Sequence, residues 1–170
     1  LAKRGHRVMT VAPRYKAYPD AWDTGIRQSF NGHTVGFFHC EDRGVDRVFI
    51  DHPALGRGEI YGGQNGAYPD NWFRFSLLCQ SALLAAMKLS LRGKTYDADG
   101  PPAFLIHDWH AALLPAYLKT AQHWGLLTGS SVSIVIHNLA HQGVHSSALF
   151  SQLNLPGSMY PSLDMDGRLN

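Results

Sequence analysis

The chain has 170 residues, 45% of them hydrophobic, which is enough for one full core. Charged residues make up 16% and the formal net charge is +2, with no run of like charge, so a nucleic-acid surface or an acidic tail is excluded. The longest apolar runs, 82–87 and 131–136, fall far short of the ~20 residues a membrane span needs.

Residues 1–6 read as the last turn of a helix, with Lys3 and Arg4 near the final carbonyls and Gly5 as the stop. Residues 7–13 predict a short buried strand that ends at a proline. The aromatic stretch 14–31 predicts irregular structure, and 34–40 with 45–51 predict the two strands of a hairpin around Gly44. Glycine-rich residues 53–67 predict a loop. A long helix is expected from Asn71 to about Leu91, capped by Asp70 and stopped by Gly93. Its buried stripe would be Phe75, Leu78, Ala82, Ala85 and Leu89.

Residues 103–106 predict a strand that runs into His107-Asp108-Trp109-His110, then a helix over 111–123 bent at Pro115. A β-branched strand over 132–136 leads into residues 137–143, and a short helix is expected at 147–153. Opening on a helix end and stopping after Leu163 with no closing element predicts a piece of a longer protein. Alternating strands and helices predict an α/β domain with a largely parallel sheet. Ligands bind such sheets beyond the carboxyl ends of the strands, so both histidine-rich segments should face one crevice.

Six of the ten histidines lie between His107 and His145. Asp108 either caps the next helix or accepts hydrogen bonds from a ligand. Taken with His107, Trp109 and His110 at a strand end, it favours a site for a hydroxyl-rich molecule, the indole stacking on a sugar face. The segment Tyr68-Pro69-Asp70-Asn71 is either a loop with a helix cap or a rim where Tyr68 and Asn71 offer hydrogen bonds. His137, His141 and His145, four apart, invite a metal reading; Asn138 and Gly143 suit a turn, and no acid lies among them, so no metal is expected. Cys40 and Cys79 have no CxxC spacing and read as buried free thiols in a reducing compartment. There is no GxSxG elbow or Walker loop, and residues 62–66 lack the strand-then-helix setting of a dinucleotide fingerprint.

The segment from His107 through Leu118 is similar to the HDWHxxLxPxYL motif of bacterial glycogen and plant starch synthases, and residues 137–143 to their HNLAYQG loop. Tyr68, Asp70, Asn71, Arg74 and Phe75 match the family pattern YxDNxxRF. Residues 21–24 and 43–53 resemble the granule-bound starch synthases of plants and green algae. The resemblance implies a GT-B glycosyltransferase, with residues 1–170 as part of its Rossmann-like, N-terminal, acceptor-side half.

That family moves glucose from ADP-glucose or UDP-glucose to the non-reducing 4-hydroxyl of an α-1,4-glucan, with retention and no metal or other cofactor. It further implies a plastid location, starch granules as a partner, and no nucleic-acid or membrane partner. By the same resemblance His137 sits beside the transferred glucose as the catalytic-site residue. Asp108, Asn138, Trp109 and His110 would bind the sugar, and Tyr68 would line the acceptor side. His141 stands where the family has tyrosine, and the 53–67 loop is shorter than in plant relatives. The family's KxGGLGD loop would precede Leu1 and its nucleotide-binding half would follow Asn170, so the isolated segment is expected to be inactive. Two rival readings are a non-catalytic starch-binding scaffold on the same fold and a metal-dependent hydrolase.

Overall fold

Alternating apolar side chains between residues 33 and 51 build the centre of the larger sheet. In the computed structural model, which describes residues 1–170, β1 (Val8–Pro13), β2 (Trp22–Phe30), β3 (His33–Asp42) and β4 (Val45–Asp51) pair in the order β1-β4-β3-β2. The predicted hairpin is β3–β4. Its turn residues Arg43 and Gly44 both take positive φ, 50° and 81°, as a tight hairpin requires. Val35, Phe37, Val48 and Ile50 are buried on one face. β1 runs parallel to β4 as an edge strand, where its closing Pro13 removes no ladder bond from the sheet centre.

The expectation of irregular structure over 14–31 is corrected by β2, which pairs antiparallel with β3. Most of β2 is exposed, so no apolar alternation marked it, and its register shifts between Asp23 and Arg27. The 53–67 loop holds only a two-residue pair, β5 (Gly62–Gly63) with β6 (Gly66–Ala67).

α1 (Asn71–Lys88) ends before the predicted Leu91, because Leu89 leaves helical geometry with ψ 104°. Gly93, at φ 85°, serves the next turn instead, where Leu91 bridges to Lys94. Of the predicted stripe, Phe75, Ala85 and Leu89 are buried while Leu78 and Ala82 are half-buried, and the helix buries further residues because it separates two apolar clusters. Leu77, Ala85 and Leu89 join Val35, Phe37, Val48 and Ile50. Cys79 and Leu83 join Ile106, Leu114, Tyr117 and Leu118 on the other side. Each fully buried leucine or phenylalanine there contributes roughly 1.5–3 kcal/mol. Cys79 is buried as expected, whereas Cys40 is only half-buried.

β7 (Ala103–His107) and β8 (Ser131–Val135) form a separate parallel pair, with His107 beside Val135. α2 (Leu114–His123) connects them. Pro115 falls in its first turn, where no intrahelical N–H is required, so the predicted bend has no cause. The short helix expected at 147–153 is a 3-10 helix over Ser147–Gln152. A small antiparallel sheet of β9 (His145–Ser146), β10 (Asp164–Met165) and β11 (Arg168–Leu169) was not anticipated. The fold is α/β with parallel pairs β1/β4 and β7/β8, and with more antiparallel pairing than expected. No helix is long and apolar enough to cross a membrane.

Candidate functional site

Side by side, β7 and β8 deliver their next residues to the same edge. The Asp108 N–H donates to the Val135 carbonyl at 2.9 Å, extending the ladder one step past β7. Asp108 then takes φ 55° and ψ −175°, a region suited to glycine that costs other residues about 1–3 kcal/mol. Its carboxylate is the compensation. Oδ1 accepts from the His137 backbone N–H at 2.7 Å, tying the loop after β7 to the loop after β8. Asp108 sits at the N-cap position of the following turn but makes no capping bond, so the cap reading is corrected. The His137 N–H, and then that of Asn138, holds this carboxyl below its usual range.

The His107 Nδ1 and His137 Nε2 atoms lie 3.0 Å apart, and the two rings stack at 5.2 Å. Each ring therefore keeps one nitrogen free for a ligand. Asn138 folds its side-chain oxygen back onto the Ala140 N–H at 2.9 Å. This local turn leaves its NH₂ group outward.

Trp109 and His110 turn the other way, toward α1. The Trp109 ring meets Phe75 edge-on at 5.0 Å, and the His110 ring lies 4.8 Å from Phe75 and stacks on Tyr61 at 4.6 Å. Burial pushes the His110 pKa down, against the opposing pull of Asp108. Gly143 closes the second loop over Trp109. A Cβ there would lie 2.1 Å from indole Cε3, and φ is +65°, so only glycine fits. Behind Trp109 lies an apolar cavity of about 60 Å³ bounded by Phe75, Leu113, Leu153 and Leu169. His145 borders it with Nε2 buried and unpartnered, and burial lowers its pKa.

The segment 68–75 divides differently from the prediction. Asp70 does not cap α1 with its side chain; both its oxygens grip Arg57, at 2.8 and 2.6 Å. Asn71 is not a rim residue. It is buried, donates to the Tyr61 carbonyl at 2.8 Å, and accepts from Arg74 at 2.6 Å. Arg74 is wholly buried and also donates to the Ala54 carbonyl at 2.7 Å. Tyr68 packs between the Arg57 and Arg74 guanidinium groups, 4.8 and 4.9 Å from its ring. It is linked to the strand-end loops through Tyr61, whose carbonyl accepts from the Tyr68 N–H.

The structure thus brings Asp108, His137 and Asn138 together, sets Trp109 and His110 on the wall behind them, and leaves Tyr68 one residue removed. Sequence reasoning grouped His107 with Asp108 at this strand end but missed Tyr61 and Phe75 as neighbours of the site. No three histidine, cysteine, aspartate or glutamate side chains gather in a way that could hold a metal ion.

The same fold occurs in a solved structure described as the catalytic domain of starch synthase IV from Arabidopsis thaliana bound to ADP and acarbose. That structure superposes on 99% of this chain and 35% of its own, at TM-score 0.72 and 21% identity. In sequence, the chain belongs to the starch synthase catalytic domain family, whose model matches residues 1–170. It is 46% identical to granule-bound starch synthase 1 of Pisum sativum and 48% identical to that of Arabidopsis thaliana, over 98% of this chain in both cases. Starch synthase 1 of Arabidopsis thaliana is 43% identical over 94% of the chain. The chain spans about 30% of the length of the granule-bound relatives.

Proposed function

We propose that this segment is the acceptor-side part of a retaining glucosyltransferase that extends α-1,4-glucans from ADP-glucose or UDP-glucose. Family membership supports the reaction class. The bond from the His137 N–H to the Asp108 carboxylate supports the site, because it fuses two separate loops into one rim.

In the reaction the glucosyl–phosphate bond breaks as the acceptor 4-oxygen bonds to the anomeric carbon, and the nucleoside diphosphate leaves with its electron pair. An oxocarbenium-like sugar lies between these states. This chain's residues bind and orient that sugar. The second Asp108 oxygen accepts from a sugar hydroxyl, the Asn138 NH₂ donates, and the free imidazole nitrogen of His137 meets a hydroxyl of the transferred glucose. Trp109 and His110 form the wall, and Tyr68 lines the acceptor approach. Groups that neutralise the leaving diphosphate would come from the rest of the full-length protein.

The granule-bound relatives are chloroplastic or amyloplastic, as their names state, which supports a plastid location with the starch granule as a partner. In a full-length synthase carrying this segment, His137→Ala is expected to lower turnover at least about tenfold, or ~1.4 kcal/mol of barrier. Turnover near that of the parent would remove His137 from the site.

A further inference from the structure

Two neighbouring residues at the end of β7 hold His137 from different sides. Asp108 fixes its backbone by accepting from the N–H at 2.7 Å. His107 meets its ring, nitrogen to nitrogen, at 3.0 Å. The two grips fall together because His107 lies beside Val135 in the parallel register. Side chains alternate along an extended chain, so residue 137, two positions past Val135, rises on the same side as His107.

The ring contact has the form of a hydrogen bond. The planes are inclined by only 19° and the centroids are 5.2 Å apart, so the two nitrogens lie between the rings. A proton held there lies close to both ring planes, where the lone pair of the accepting nitrogen points. Both rings are exposed, and no other protein group bonds His107 Nε2 or His137 Nδ1.

Two arrangements of protons satisfy this contact. If the His107 Nδ1–H donates, His137 accepts at Nε2 and carries its own proton on Nδ1. Both rings then hold the Nδ1–H tautomer, the less stable form of a neutral imidazole. If the His137 Nε2–H donates, His107 accepts at Nδ1 and keeps its proton on Nε2. Both rings then hold the more stable tautomer. The second arrangement makes the same bond and avoids the tautomeric penalty at both rings.

We infer that His107 is a positioning residue: it accepts a hydrogen bond from the His137 Nε2–H and so presents His137 Nδ1 to the ligand as an acceptor. The inference deepens the proposed reaction and rests on it for the ligand. The hydroxyl of the transferred glucose at His137 then donates its proton to the ring. A ligand oxygen that can only accept, such as a carbonyl, is disfavoured at this point because it faces a lone pair. His107 acts on the sugar through His137.

Two measurements test this. In the 170-residue chain, the ring nitrogens are read by heteronuclear NMR at about pH 9, where free imidazole is neutral. The proton between the rings should be bonded to His137 Nε2, with a coupling across it to His107 Nδ1. In a full-length synthase carrying this segment, His107→Leu should lower kcat about tenfold and change KM by less than about twofold. His107→Asn should recover most of that loss, because its side-chain oxygen accepts from near where Nδ1 stood. In a His137→Ala background, His107→Leu should add no further loss.

A proton bonded to His107 Nδ1, or no coupling between the rings, would overturn the inference. So would an asparagine variant as poor as the leucine one, or a full leucine effect in the absence of the His137 ring. Normal turnover in His137→Ala alone would instead sink the reaction-site reading, while the direction of the bond in the 170-residue chain would stand.

Discussion

Segments 68–75 and 107–110 match family motifs equally well, yet they behave as opposites. In the first, the polar groups close on the protein itself: Asp70 on Arg57, Asn71 on Tyr61 and Arg74, and Arg74 on Ala54. In the second, Asp108 sits half-buried at a glycine-like backbone geometry, its carboxylate held by backbone N–H groups of the next loop and a histidine pair beside it. A motif match therefore says that residues matter, while burial and hydrogen bonding say what for. The first segment clamps the 54–70 loop onto α1 and positions Tyr61 against His110. The second, we propose, presents groups to a ligand.

The sharpest way to break this contrast is to remove the clamp. Arg74→Ala leaves a cavity, an unmet Ala54 carbonyl and an unmet Asn71 oxygen, and should cost about 4 kcal/mol in urea unfolding. A loss below about 1 kcal/mol would mean the clamp holds nothing. Gly143→Ala comes next. Its Cβ would collide with the Trp109 ring, so the loop should lift, costing about 2 kcal/mol and altering Trp109 near-ultraviolet dichroism. An unchanged spectrum with unchanged stability would show that the two loops are not packed together.

At Asp108 the comparison turns on strain. Asp108→Gly relieves the backbone while Asp108→Ala keeps the strain, and both lose the bond to His137. The glycine variant should be the more stable by about 1 kcal/mol, and the reverse order would show an unstrained site. The smallest effect is with pH. The folded carboxyl of Asp108 lies below its unfolded value, so its bond to His137 is fully present above about pH 4 and is lost as pH falls through the folded pKa. The His137 amide proton should move upfield over that acid range, and a flat shift would remove the bond.

Much of this contrast was legible in advance. Residues 34–51 alternate cleanly, and the two histidine-rich segments each follow a short apolar strand, so the hairpin and the shared edge could be read. β2 could not, because its largely exposed residues leave no period. The role of Asp70 was hidden for a different reason. An aspartate before a helix reads as a cap, and only the fold shows Arg57, thirteen positions earlier, taking both oxygens. Tyr61 lay in a glycine-rich loop with no local signal, and its stacking on His110 depends entirely on long-range packing. The glycine at 143 was visible as a turn residue, but its need for a bare backbone under Trp109 was not.

The claim that the two strand-end loops act as one unit is open to a double-mutant cycle. Asp108→Ala, His137→Ala and the double variant would be compared by kcat/KM in a full-length synthase carrying this segment. Coupling predicts a double variant little worse than the poorer single, with an interaction energy above about 1 kcal/mol. Losses that simply add would contradict the account, since they would mean that the carboxylate and the imidazole act apart.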